Sequence, residues 1–558
     1  MTPTCTPATG TATHLVTNQP PPLQGYDAVA DDPLLERLLA APELAAVHPL
    51  ARSLGSYVGS AEALQHASDA NRHPPTLRTH DRYGHRIDQV DYHPAYHTLM
   101  SVAARHGVHG HAWRDAGAAP FTSRAALVYL WNQLENGTAC PLTMTFAGVQ
   151  VMRNAPALAA VWEPRLTACD YDPRPLPVDA KRAALVGMAM TEKQGGSDVR
   201  ANTTRAVPLN GGGPGGEYEI TGHKWFCSAP MCDAFLVLAQ TDAGVSCFLL
   251  PRFTPNGERN RFHIQRLKEK LGNKSNASSE IEFRGAWARM IGEDGRGIRT
   301  IIEMVSHTRL DCAIGSSAGM RTGVAQATHH AMNRSAFGKK LIDQPLMENV
   351  LADLCVESEA ATATVMRLAR AYDEAAAGDE GAALLQRLAT PVLKYWICKR
   401  APWHAVESLE CFGGNGYAEE SGMPRLFRES PLMSIWEGSG NVQCLDALRA
   451  MVKSPASYEA FFSEVGEAAG ADSRLDSFVE KLQQEITGEP ETLEIRARRV
   501  VEGMGLAFQG SMLVRHGDPA VADAFCASRL AGDWGEAFGT LPAGTDFKTI
   551  IQRSAPPV

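Results

Sequence analysis

Between residues 31 and 179 the apolar positions recur three and four apart. LLERLLAAPELAAV and ALVYLWNQLEN each place them along one side of a 3.6-residue turn, which predicts helices. The period changes near Leu185. EYEITGHKWF alternates, and AFLVLAQ and SCFLLPR are short apolar runs bounded by turn residues, as strands require. GGGPGG at 211–216 separates two such segments as a flexible loop. Helical spacing returns near Gly297. Val350, Leu354, Ala361, Val365, Leu368 and Tyr372 trace one face of a long helix. PVLKYWICKRAPWHAVESLE predicts a second, which stops at Gly413 and Gly414, where glycine supplies left-handed geometry. SRLDSFVEKLQQEI and LEIRARRVVEGMGLAF are helical again. The expected fold is mostly α with a central β domain. A mobile arm is predicted over 1–30, then a helical domain over 31–184 and a β domain over 185–295. A helical bundle over 296–453 and an extra helical domain over 454–558 follow. No GxGxxG sits on a strand–helix unit, so a nucleotide cofactor would not be held by a Rossmann fold.

Composition narrows the class. A chain of 558 residues is too long for one core, and 44% hydrophobic with 21% charged residues is ordinary for a globular protein. No apolar run reaches the roughly 18 residues that a membrane span needs. The first residues lack the basic start and apolar run of a signal peptide, so a cytoplasmic protein without membrane contact is expected. The 12 cysteines are scattered and none forms C-x-x-C, which argues against disulfides and against a zinc site. His93 and His97 are four apart, but Pro94 should begin a helix and leave His93 at its edge, so no metal is expected. A net charge of −9 is not that of a protein built to coat nucleic acid. From residue 455 onward, 9 Lys and Arg face 16 Asp and Glu, a net of −7. Within that acidic stretch, IRARRVV clusters Arg496, Arg498 and Arg499, a local patch or a solvated helix face.

Candidate chemistry begins at MTEKQGGSDVRANTTRA, residues 190–206. Bare glycine backbone and small hydroxyls can present several donors to an anion or a polar ring. Alone, such a pair of glycines is most simply a turn. Four further stretches follow it: GHKWFCSAP (222–230), RSAFGK (334–339), ECFGGNGYAEE (410–420) and SIWEGSGN (434–441). In this order and at these separations the set resembles the acyl-CoA dehydrogenase family, which carries T-E-x-x-x-G-S-D, G-x-K-x-W-I-[ST], R-x-x-F-G, F-G-G-x-G and Y-E-G-[ST]. K-Q-G-G in the first loop, W-E-G-S-G-N near the end, PLTMTFAG (141–148), LGNKSNASSEIEF (271–283) and the additional C-terminal domain resemble the AidB branch of that family.

The resemblance implies FAD held between the β domain and the C-terminal helices. Met190, Thr191, Gly196 and Ser197 would contact the flavin and its pyrophosphate. Ser228 would lie near flavin N5, with Trp225 or Phe226 as an aromatic wall. Arg334 and Phe337 would reach the FAD of a neighbouring subunit in a homotetramer, where an arginine fork suits a pyrophosphate. Glu410, Gly413 and Gly414 match the adenine-side loop, and Ser439 and Asn441 would close over the cofactor. Glu437 takes the position of the general base, which removes the weakly acidic proton beside a thioester carbonyl and so needs a dry pocket and a raised pKa. Arg309 matches an arginine of the acyl-CoA channel. Lys193, Ala336 and Ser306 depart from the family's usual residues; the first fits the AidB branch, the second removes an FAD hydrogen bond, and the third bears on CoA binding. The implied activity is α,β-dehydrogenation of an acyl-CoA, of short or branched chain such as isovaleryl-CoA. The alternative is an AidB-like flavoprotein that binds double-stranded DNA and protects against alkylation with little turnover. Arg449, Arg496, Arg498 and Arg499 would then be its DNA contacts.

Overall fold

A computed structural model describes residues 13–114 and 117–556. Three long helices form its spine: Gly297–Asn333, Pro345–Ala376 and Glu380–Glu410. They pack on one another, and the helices Pro120–Leu134 and Asn136–Met152 pack on the first. Both of these are buried on nearly every face. A helix apolar all round belongs inside, which is why ALVYLWNQLEN is so poor in charge. The third long helix ends where the glycine pattern predicts, and Gly413 adopts φ +60.

The central sheet runs from Val186–Ala189 to Ser278–Ile291 and has seven strands. Ala234–Thr241 pairs with Gly244–Pro251, which pairs in turn with Ser278–Ile291. Ser278–Ile291 continues through Glu217–Ser228 and Arg205–Pro208 back to Ala234–Thr241, so five strands close into a ring. Closure leaves the ring's interior dry, and AFLVLAQ is buried on both faces for most of its length. Register places Ser228 opposite Ser278 at one end of this ring.

Two expectations are corrected here. The segment 31–184 is not all helix: Thr76–His80 and Arg86–Asp91 form an antiparallel hairpin. Its anchor is polar. Asp88 is buried and its carboxylate accepts the Ile264 N–H at 3.0 Å, while Arg86 donates to the Ile264 carbonyl at 2.7 Å. A hairpin held by side chain-to-strand hydrogen bonds carries little apolar periodicity to read. The arm over 1–30 is also not free throughout. Residues 1–12 lie outside those described, but Asn18 exchanges hydrogen bonds with Ser335, His329 bonds the Pro21 carbonyl, and Leu23, Ala28 and Val29 are buried.

The residues after Pro455 dock on the spine through charge. Arg529, from a buried turn, pairs with Asp353 and Glu357 of the second long helix, and Arg400 of the third also bonds Glu357 at 3.0 Å. Asn349 and Leu541 exchange two further bonds of 2.9 Å. His93 caps the helix Pro94–Arg105, as its position before a proline suggests, and His97 bonds the Tyr171 hydroxyl at 2.9 Å.

Candidate active site

Glu437 sits in the loop between the short helix Leu432–Ile435 and the helix Gly440–Lys453. Its backbone is left-handed, φ +57, a conformation that costs a non-glycine residue on the order of 1–3 kcal/mol unless the surroundings impose it. They do so through three side chains. Lys394 donates to the carbonyls of Trp436 and Gly438 at 3.0 and 2.6 Å. Gln443 donates to those of Glu437 and Gly438 at 3.0 and 2.9 Å. Arg309 donates its Nε to the Glu437 carbonyl at 3.1 Å. The carboxylate itself accepts the Thr308 hydroxyl at 2.7 Å. Burial pushes the Glu437 carboxyl above its usual range, against the pull of Thr308, Lys394 and Arg309. A carboxylate that is partly desolvated and fixed by one hydroxyl is suited to take a proton from carbon.

Arg309 corrects one expectation. It is buried, and its guanidinium is committed to Asp446 at 2.6 Å as well as to the Glu437 carbonyl. Arg387 bonds the other Asp446 oxygen at 2.8 Å. Arg309 therefore supports the Glu437 loop rather than standing free in a channel. Two residues along the same helix, Asp311 forms a buried bidentate pair with Arg124 and accepts the Thr143 hydroxyl at 2.7 Å. The next-door His307 stacks on Phe121 and contacts Trp113 and Phe146, and its burial lowers its pKa to about 4.

The 190–198 loop is organised by a residue that its glycines conceal. Glu192 is fully buried and pairs with buried Lys224 at 2.9 Å. It also accepts the N–H groups of Thr203 and Thr204 and the Gln194 amide. Burial alone would raise its pKa, but Lys224 and these donors hold the carboxyl well below the usual range. With Glu192 anchored, Met190 and Thr191 are fixed on either side of the Glu217–Ser228 strand's end: the Asn202 amide donates to the Met190 carbonyl, and Trp225 N–H to that of Thr191 at 2.8 Å. A Cβ on Gly196 would lie 2.4 Å from the Thr191 hydroxyl, so glycine is required for that approach. Gly196 and Ser197 follow as accessible loop. Trp225 lies under Lys268, whose ammonium is 3.4 Å from the ring centre, while Phe226 is exposed. Ser228 bonds Ser278 at 3.1 Å.

The remaining expected residues fall into two groups. Arg334 and Phe337 follow the end of the helix Gly297–Asn333, and Glu410, Gly413 and Gly414 lie at the end of Glu380–Glu410; the two ends meet where His330 stacks on Phe412. Phe337 is 100% exposed at the tip of a two-residue hairpin, and Arg334 bonds the Asn18 carbonyl. Near Glu437, Ser439 is exposed before the helix Gly440–Lys453, and the Asn441 amide oxygen accepts Arg498 Nε at 2.8 Å. That bond engages the Asn441 amide and one nitrogen of the exposed Arg498 within the chain. Arg499 pairs with Glu485 at 2.9 Å, and Arg496 donates to the Glu485 and Glu489 carbonyls. Arg449 remains largely exposed, 4.0 Å from Asp446.

A cleft of about 990 Å³ lies elsewhere, lined by Gln24, Asn71, Gln133, His329, Phe412 and Arg428 among others. Thr191, Trp225, Ser228 and Glu437 are not part of it. The side chains that converge on Glu437 are thus separate from this cleft. Lys394, Gln443, Thr308 and Glu192 were not singled out from sequence. The signal existed for Lys394, a lone charge in the apolar run PVLKYW.

Comparison with known proteins identifies the family. Residues 18–173 match the adaptive response protein AidB N-terminal domain, 187–286 the acyl-CoA dehydrogenase middle domain, and 295–452 the acyl-CoA dehydrogenase C-terminal domain. The chain is 44% identical to the putative acyl-CoA dehydrogenase AidB of Escherichia coli, over 93% of this chain and 94% of that one. It is 30% identical to acyl-CoA dehydrogenase family member 11 of Caenorhabditis elegans, over 87% and 80%. Caenorhabditis elegans ACDH-11, solved in complex with C11-CoA, superposes with a TM-score of 0.85 at 28% identity, covering 93% and 94% of the two chains.

Proposed function

Because this chain belongs to the acyl-CoA dehydrogenase family, on its AidB branch, we propose that it binds FAD and oxidises the Cα–Cβ bond of an acyl-CoA thioester with Glu437 as the base. The observation that carries this reading is the Glu437 carboxyl, raised in pKa and bonded to Thr308, in a loop that Arg309 and Lys394 clamp through the carbonyls of Glu437, Trp436 and Gly438. The residues present fit the cofactor. Thr191, Ser197 and the bare amides around Gly196 are a donor set for a flavin edge and a pyrophosphate, and the glycine there admits close approach. Trp225, stiffened by Lys268, offers a flat wall, and Ser228 a hydroxyl beside it. When bound, FAD supplies the acceptor for the hydride that leaves the β-carbon. Glu437 takes the α-proton on its free carboxylate oxygen, and Thr308 holds the other oxygen still. The surrounding burial keeps water from competing for that proton.

Arg334 and Phe337 lie with Gly413 and Gly414 rather than with Thr191 and Ser228, and Phe337 has no cover in the protomer. We assign them to the FAD site of a second copy, within a homotetramer. For the acyl group the reading is a short or branched chain. The C11-CoA bound by the Caenorhabditis elegans relative makes an eleven-carbon acyl-CoA the necessary comparison.

The test is a visible spectrum of the purified protein, reconstituted with FAD and titrated anaerobically with acyl-CoAs from isovaleryl to eleven carbons. Bleaching of the flavin band by at least one of them is expected. A folded protein that takes up no FAD, or whose flavin no acyl-CoA reduces, overturns the proposal.

A further inference from the structure

Lys394 takes no part in the proton transfer itself, yet it is fully buried behind the Glu437 loop. Its ammonium donates to two carbonyls, Trp436 at 3.0 Å and Gly438 at 2.6 Å, which bracket Glu437. Among the described residues it forms no ion pair within 4.0 Å, whereas the other cation of the loop, Arg309, has Asp446. An ammonium buried without a carboxylate partner is costly, so its position calls for an explanation. The nearest one is Glu437, whose carboxylate the Lys394 charge stabilises from behind the loop.

We propose that Lys394 is a positioning residue for the base: its ammonium fixes the left-handed turn at Glu437 through the flanking carbonyls and serves as the buried counter-charge of the Glu437 carboxylate. This rests on Glu437 being the base. The other groups that face Glu437 are Thr308, Arg309 and Cys312 from the helix Gly297–Asn333 and Cys140 from the helix Asn136–Met152. Arg309 is matched by Asp446, which Arg387 also holds, so its charge is shared. Cys140 and Cys312 are held as thiols by burial, which pushes both pKa values up. Lys394 is thus the uncompensated charge that distinguishes ionised from protonated Glu437. Before the reaction it opposes a carboxylate across one loop; after proton transfer from substrate it opposes a neutral acid. Its charge opposes the desolvation that favours the protonated form of Glu437.

Two variants separate the roles. Lys394→Gln keeps hydrogen-bond donors at the loop and removes the charge; Lys394→Met removes both. The readouts are the Glu437 carboxyl stretch in 13C-glutamate-labelled protein, assigned by its loss in Glu437→Gln and titrated with pH, and the hydrogen exchange of amides 436–441. In Lys394→Gln the Glu437 titration should move up by about 1 pH unit or more, the size expected for losing one nearby opposite charge. Its amides should stay protected. In Lys394→Met the midpoint should rise likewise, and exchange at 436–441 should accelerate at least tenfold. Where the wild type reduces its flavin, the acid limb of rate against pH, set by ionisation of the base, should follow the same upward shift. A Glu437 midpoint unchanged in Lys394→Gln removes the counter-charge, and unchanged exchange in a folded Lys394→Met removes the clamp; either result overturns the proposal. Failure of every acyl-CoA to reduce the wild-type flavin would instead sink the dehydrogenase reading, and the carboxyl titration would still decide the role of Lys394.

Discussion

Glu437 is held in a conformation and an ionisation state that folding alone would not choose. Replacing it by Gln keeps the shape and removes the ability to accept a proton. FAD binding should survive, and flavin reduction by acyl-CoA should fall by about 10²–10⁴-fold, the usual contribution of a general base. Stopped-flow spectra of the FAD-loaded variant check this. The same change carries a stability signature. The folded pKa of Glu437 is raised, so its carboxyl favours the folded state at low pH and disfavours it as pH rises through the folded value. Glu437→Gln should therefore stabilise the protein at pH 8 relative to wild type, and the difference should vanish near pH 4; thermal unfolding across that range reads it directly. Glu192 works in the opposite sense. Its folded pKa is depressed, so the stability it contributes is complete above the ordinary carboxylate range of about 4.3 and is lost as pH falls below it. Lys224→Met strands the Glu192 charge in a dry site and should cost about 3–5 kcal/mol in urea unfolding at pH 7. Adding Glu192→Gln should recover much of that loss; no recovery would mean Lys224 matters for another reason.

At the scale of elements, the three long helices are joined to the C-terminal residues by buried ions rather than by an apolar seam alone. Arg529 satisfies two carboxylates of the helix Pro345–Ala376 at once, and Arg400 shares one of them. Arg529→Leu leaves Asp353 facing only the Gly539 N–H, with Glu357 still held by Arg400. The expected cost is about 3–5 kcal/mol, seen as a lower urea midpoint and earlier proteolysis after residue 455. Unchanged proteolysis would show that the helix Ala497–His516 holds the domain unaided. These helices were legible in the sequence because their faces repeat every three or four residues: Leu354, Ala361, Val365, Leu368 and Tyr372 are all buried as the pattern requires. The hairpin Thr76–His80 with Arg86–Asp91 was not, because its stabilising contacts are Arg86 and Asp88 to a strand distant in sequence.

For the whole molecule, the half-buried Arg334 beside exposed Phe337 and the arginines of the C-terminal domain make two separate predictions. Arg334→Ala should leave the protomer folded and weaken FAD retention by about 1.5–3 kcal/mol, the range for a charged hydrogen bond. Fluorescence titration with FAD would show it, and unchanged affinity would remove Arg334 from the cofactor site. Duplex DNA, if it binds, should do so weakly. All four arginines have a partner within the chain, although Arg449, Arg498 and Arg499 remain exposed. With so few phosphates neutralised per protomer, log affinity against log salt should have a shallow slope, about −0.9 per phosphate. A steep slope that persists when all four arginines are changed to Ala would place a DNA site elsewhere.

The sequence by itself determined the order of helices, strands and helices, and it marked Glu437 and the Gly196 loop, because periodicity and short glycine-rich motifs are local properties of a chain. It also carried the resemblance through which Arg334 and Ser228 acquire roles. Only the tertiary structure decided that Arg309 supports the Glu437 loop, that Arg498 bonds Asn441, and that Lys394 stands behind Glu437. Residue pairs 128, 57 and 43 positions apart are brought together by packing alone, and the charge or hydrogen bond each makes depends on what else is buried beside it. A lone arginine or lysine in a sequence is compatible with solvent, phosphate or a carboxylate; burial removes the first, and the neighbours supplied by the fold choose among the rest.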